Sequence, residues 1–188
     1  MPMDTSIQRL ERSAWKGAPL DMAYTSDHYY DISVDRTAEG FSISIAKKPF
    51  PAPFTRAPED GDHLYEDWWE QAEAYGIVGE DGALLAAIEV CPEDWTKRLM
   101  VTELFVAGPL RRQGHGRRLI DLAKRLTVEG GYRCLILETQ SSNVNAVDFY
   151  MSQGFTLIGF DTCCYHNDDL QRREVRLDMG WFPEETVR

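Results

Sequence analysis

The chain has 188 residues, 43% of them hydrophobic and 27% charged, a balance that suits a globular domain able to bury a sizeable core. Its formal net charge of −11 disfavours non-specific attraction to nucleic acid or to an anionic membrane surface, whereas a small cationic molecule suits the sign. There is no apolar run of membrane-span length and no signal-peptide core at the N-terminus, and neither the cysteines nor the histidines show metal-ligand spacing, so a cytoplasmic location, no membrane contact and no metal are expected.

Residues 1–24 carry scattered charges, Gly17 and Pro19, and little periodicity; they read as a loosely ordered lead-in with room for an extra helix, leaving 25–188 as a single domain. Segments 29–34 and 41–45 alternate apolar and polar side chains, which predicts half-buried strands. Pro49, Pro51, Pro53 and Pro58 predict an irregular connection that leads to a turn at 60–62. The stretch 63–72 reads as a short acidic, aromatic helix. Trp68 and Trp69 would then point about 100° apart, so that one of them could wall a cation site beside Glu66, Asp67 and Glu70 while the other anchors the core. Residues 74–78 and 83–90 predict a hairpin.

The most informative stretch follows. Residues 100–106 form an apolar run broken by Glu103, and beyond residue 118 the stripe Leu119, Leu122, Ala123, Leu126 has helical spacing. Between them, 110–118 must turn a strand into a helix N-terminus. Gly114 and Gly116 let the backbone approach a ligand, and the helix's unpaired amides and positive dipole end favour an anion, best a diphosphate. Arg111, Arg112 and Arg117 flank the glycines and are candidates for phosphate; Gln113 and His115 contribute backbone, and Arg118 reads as surface. A merely solvated basic helix face would carry the same charges.

Gly130 and Gly131 end this helix, 134–138 is an apolar strand, and a second helix closes at Gly154. Two further strands, 155–160 and 174–179, lie either side of a polar loop at 167–169. The order predicts an α/β fold, a mixed sheet with helices on both faces.

No nucleoside-triphosphate loop is present, and Gly-x-Gly-x-x-Gly lacks its third glycine. Arg111-x-x-Gly114-x-Gly116 instead resembles the signature of GNAT N-acetyltransferases. So does a second block, Leu137-Glu138-Thr139-Gln140, then Asn143, Ala146, Phe149-Tyr150 and Gly154-Phe155, which is similar to that family's fifth strand and fourth helix. With Asp161 and Tyr165 it looks most like the streptothricin acetyltransferases. The resemblance implies a mostly antiparallel sheet whose fourth and fifth strands splay. It implies acetyl-CoA as co-substrate, its arm along Leu104, Phe105 and Val106 and near Asn143, and a small cationic amine as acceptor near Glu138 and Asp161. Aminoglycosides, polyamines and protein N-termini are other acceptors of the same class, and a non-catalytic acyl-CoA-binding module is a different one. Monomer and homodimer both stay open.

Acetyl transfer to an amine requires a base for the amine and an acid for the departing thiolate. Glu103 is the candidate base, since a carboxylate within an apolar strand tends to a raised pKa; facing a solvated groove or an arginine is its bland alternative. Tyr150 is the candidate acid and also a cofactor contact, because a phenol stays protonated at neutral pH. The stripe Val147, Tyr150, Met151 would equally suit a core tyrosine. Asn143, just before a helix, would also serve as its N-cap.

Overall fold

In the computed structural model, which describes residues 4–57 and 62–184, the chain runs β1 (Gln8–Leu10), α1 (Arg12–Trp15), β2 (Tyr24–Arg36), β3 (Phe41–Arg56), β4 (Glu73–Val78), β5 (Leu84–Glu93), β6 (Arg98–Val106), α2 (His115–Glu129), β7 (Cys134–Gln140), α3 (Val144–Ser152), β8 (Thr156–Asp161), α4 (Asp169–Arg172) and β9 (Arg176–Trp181). Pro58 and the start of the turn expected at 60–62 lie outside the described residues. The fold is the expected mixed α/β one with a mostly antiparallel sheet, and it packs as two units.

The first unit comprises 4–22, 62–137 and 181–184 among the described residues. Its strands run β1-β4-β5-β6-β7, antiparallel except for the parallel pair β6–β7. Ala86, Ala87 and Ile88 of β5 and Leu119, Ile120 and Ala123 of α2 are fully buried, so the stripe read from the sequence is the helix's core face. Full burial of each large aliphatic side chain contributes about 1.5–3 kcal/mol.

Two sequence expectations fail here. The segment before residue 24 is not a loose lead-in: Leu10 is fully buried where β1 pairs with the edge of β4, and the Gly17 and Leu64 amides donate to the Leu64 and Ala18 carbonyls. A strand of three residues and a helix of four are too short to show a period. Nor is 63–72 a helix; it is a chain of turns. Tyr65 takes a left-handed φ of 62°, and the Arg12 guanidinium donates to the carbonyls of Trp69 (2.9 Å) and Glu70 (3.0 Å), acceptors a helix would have directed along its own axis. Trp69 packs on the core and Trp68 is exposed.

The second unit comprises 23–57 and 138–180. In it β2 and β3 form a separate two-stranded ribbon, far longer than the two short strands read from the sequence. Pro49, Pro51 and Pro53 lie inside β3, where an irregular connection was expected. The register explains the difference, because it jumps from Ser26↔Phe54 to His28↔Pro49. Pro51 and Pro53 therefore fall in a bulge that needs no ladder donors, and both ribbon strands are edges. Lys47 and the Tyr30 hydroxyl reach Asp148 of α3 (2.7 and 3.0 Å), fastening the ribbon to that helix. β8 and β9 pair antiparallel, and the polar loop between them contains α4. Asp169 is fully buried there because its carboxylate accepts from the Tyr165 and His166 amides (2.9 and 2.8 Å).

Candidate active site

β6 pairs with β7 from Arg98↔Cys134 to Val101↔Leu137 and no further, while β5 stays alongside it to Val106. The backbone edge of Leu104, Phe105 and Val106 on the far side from β5 is therefore not used by β7. The pairing stops at a bulge: the β5 register steps from Val90↔Val101 to Glu89↔Glu103, leaving Thr102 as the extra residue. Glu103 is the next residue, and it is half-buried.

The buried carboxylate is a different one. Glu89 of β5 has no solvent exposure; its oxygens accept the Tyr65 amide (2.6 Å) and the Thr102 hydroxyl (2.8 Å). Burial pushes its pKa up, and the two hydrogen bonds oppose that. Glu89 was absent from the residues singled out in the sequence, although Ala86-Ala87-Ile88-Glu89-Val90 carries the same signal, one carboxylate in an apolar strand, as does the stretch around Glu103.

After β6 a short 3-10 turn, Gly108–Leu110, leads to the loop. Arg112 (φ 63°) and Gly114 (φ 86°) are both left-handed, and Gly114 is the N-cap of α2. The first helical bond from that cap is the Arg118 amide to the Gly114 carbonyl (3.1 Å), so the amides of His115, Gly116 and Arg117 have no intrahelical acceptor. This is the amide-rich, left-turning backbone that anion cradles use. The side chains divide differently from the expectation. Arg111 donates from Nε to the Val106 carbonyl (2.9 Å), and Gln113 donates to the Pro109 carbonyl (2.7 Å), so both brace the loop itself. Arg112 and Arg117 are exposed cations; Arg118, read as surface, reaches Thr5 (3.4 Å). His115 offers more than backbone. Its side chain is 7% exposed, and its Nδ1 has no hydrogen-bond partner among the described residues. A buried orphan nitrogen at the mouth of a helix N-terminus fits a site that takes a polar group.

In the second unit, Asn143 is the N-cap of α3, its carboxamide oxygen accepting the Ala146 amide (3.2 Å) as the capping reading expects. Tyr150 is buried, with ring centroids of Phe149 and Phe155 at 5.4 and 5.9 Å. Glu138 and Asp161 meet around a residue that sequence reasoning missed. Arg176 binds Glu138 (2.8 Å) and Asp178 (2.8 Å) and lies opposite Asp161 in the β8–β9 register. Burial raises the pKa of Glu138 while Arg176 opposes the rise. Asp161 is exposed, and the Cys163 amide it accepts holds its pKa down. The Tyr165 hydroxyl is buried without a partner among the described residues; burial, then the charge of Glu138, raises its pKa.

Residues 43–155 match the model of the acetyltransferase (GNAT) family, a span that holds β6, the loop, α2, β7 and all of α3. The chain belongs to the GNAT acetyltransferase family. As a GNAT N-acetyltransferase it has relatives of narrower description. It is 30% identical over 151 residues to a streptothricin acetyltransferase of Streptomyces lavendulae, covering 78% of each chain. The solved structure of a nourseothricin acetyltransferase aligns with a TM-score of 0.74 at 28% identity, covering 94% of this chain and 97% of that one. A Bacillus anthracis structure in complex with acetyl coenzyme A aligns with a TM-score of 0.74 at 23% identity, covering 97% of this chain and all of the other.

Proposed function

We propose that this GNAT chain acetylates a primary amine of a small cationic antibiotic of the streptothricin type, drawing the acetyl group from acetyl-CoA. The observation that carries the reading is a likeness to streptothricin and nourseothricin acetyltransferases over most of the chain's length. The donor's diphosphate would lie on the amides of residues 112–117, with Arg112 and Arg117 adding charge, and its arm along Leu104, Phe105 and Val106 and near Asn143. Acetyl-CoA supplies an activated thioester. Glu103 takes the proton that the attacking amine sheds, directly or through water, and the Tyr150 hydroxyl gives a proton to the sulfur as the carbon–sulfur bond breaks. Glu138 and Asp161 attract the cationic acceptor. Arg176 offsets part of their charge, so the attraction is tuned rather than maximal. With acetyl-CoA as donor, this reading expects a cytoplasmic enzyme.

The test is mass spectrometry of streptothricin incubated with the enzyme and acetyl-CoA, with aminoglycosides and polyamines in parallel. One added acetyl group on streptothricin is the expected result. Efficient acetylation of another amine and none on streptothricin would reject the antibiotic reading; tight acetyl-CoA binding without turnover on any amine would reject catalysis.

The donor site makes a separate prediction. No atom lies within 4 Å of where a Cβ at Gly114 would sit, so Gly114→Val should fold with α2 intact. Its left-handed backbone costs a non-glycine residue about 1–3 kcal/mol, which the loop relieves by turning its amides away. Calorimetry should show weaker acetyl-CoA binding in Gly114→Val and a smaller loss in Gly114→Asn, since asparagine tolerates this backbone. Equal affinity in all three proteins would place the diphosphate elsewhere.

A further inference from the structure

Glu89 is an expensive residue for its place. A buried carboxylate is more often neutral or destabilising than helpful when an apolar side chain of similar size would fill the same space. Its neighbours in the strand, Ile88 and Val90, are such side chains and are buried with it. What an apolar residue could not do is hold Thr102. The carboxylate stands between two elements: Tyr65 on one side, whose hydroxyl in turn bonds the Leu10 carbonyl and accepts the Ala74 amide (2.9 Å), and Thr102 on the other. The first side is a fixed support, fully inside the core. The second is the extra residue of the β6 bulge, immediately before Glu103 and one residue beyond the last β6–β7 pair.

We infer that Glu89 is a positioning residue for acetyl transfer: through the Thr102 hydroxyl it holds the β6 bulge that aims Glu103 and keeps β7 off the backbone edge of Leu104, Phe105 and Val106, along which the donor would lie. A bulge adds a residue and so loosens the local ladder. Two hydrogen bonds to one buried carboxylate, anchored to Tyr65, restore that lost definition without re-pairing the strand. The inference deepens the acetyltransferase reading above and rests on it for its activity measurements.

The experiment compares wild type with Thr102→Val, Thr102→Ser, Glu89→Gln, Glu89→Leu and the double variant Glu89→Leu/Thr102→Val. Glutamine can accept the Tyr65 amide and donate to the Thr102 hydroxyl, and serine keeps the hydroxyl, so both should retain most activity. Thr102→Val is nearly the same size but breaks the link. It should lower kcat/KM by about 100-fold, the scale of a displacement of about 1 Å at a reacting group. Acetyl-CoA binding should weaken in step by calorimetry. Because Glu89 and Thr102 act through one bond, the double variant should lose no more than the worse single.

A second readout does not need turnover. Backbone amides from 102 to 106 should exchange with solvent faster in Thr102→Val than in wild type, and serine should restore the protection. Burial raises the Glu89 pKa, so the stability that group contributes is lost as pH rises through the raised value. Glu89→Gln, which cannot ionise, should therefore gain in Tm over wild type as the pH rises above the ordinary carboxylate range. If Glu89→Leu does not fold, the Val and Ser pair at Thr102 decides alone. Unchanged kcat/KM, acetyl-CoA affinity and amide exchange in a folded Thr102→Val overturns the inference, as does a double variant whose loss is the product of the two singles. A wild type that neither binds nor uses acetyl-CoA would reject the acetyltransfer reading instead, and amide exchange would still report on the bulge.

Discussion

Tyr150→Phe should lower kcat by about 100- to 10,000-fold, the usual range for general acid assistance, while the KM for acetyl-CoA changes little. The hydroxyl is proposed to act on a thiolate that exists only as the bond breaks, so the loss falls on the transition state and not on ground-state binding. Phenylalanine is the discriminating substitution because the ring already packs against Phe149 and Phe155. Removing one oxygen leaves those contacts in place, so a tyrosine serving only the core would give a variant with near-normal kcat. Steady-state kinetics over a range of acetyl-CoA, with a thermal melt to confirm the fold, separates the two. A Phe variant that turns over like wild type would assign Tyr150 to packing.

Glu103→Gln should lose most of its activity near neutral pH, by about 100-fold, and recover part of it as the pH rises. Without a base, the reaction depends on the fraction of acceptor amine that is already neutral, and that fraction grows towards the amine's own pKa. In wild type the carboxylate supplies the base at lower pH. The pH–rate profile of kcat/KM for the acceptor is the measurement. The variant's curve should rise steadily through the alkaline range where that of wild type has flattened. Superimposable profiles would remove Glu103 from the proton transfer. Glutamine suits the position because Glu103 is half-buried beside Thr102, and an isosteric amide leaves the neighbouring link to Glu89 undisturbed.

What could be read from the chain alone was what short-range physics dictates. The apolar stripe of α2, the glycine-bearing turn before it, the continuous apolar run of β7 and the Asn143 cap all depend on residues within one or two helical turns of one another. A helix or strand period, a left-handed φ and a side chain capping its own helix need no distant partner, so they leave a signature in local order. The family resemblance lay largely in those same stretches, from the loop before α2 to Gly154-Phe155, with Asp161 and Tyr165 beyond them. Tertiary structure decided everything whose partner is far away in sequence. Residues 63–72 hold the acidic and aromatic residues of a plausible helix, yet Arg12, more than fifty residues earlier, takes the carbonyls of Trp69 and Glu70 and prevents it. Pro51 and Pro53 of β3 are tolerated because the ribbon's register breaks where they fall. Glu138 and Asp161 were singled out as separate acids, and it is β9 that sets Arg176 among them. Glu103 stood out as a charge in an apolar strand, but the buried charge is Glu89, and only the pairing of β5 with β6 reveals that it holds Thr102. Burial and pairing are properties of the assembled sheet: the same carboxylate in the same apolar run is half-solvated on one strand and sealed on the next, according to what the rest of the chain lays over it.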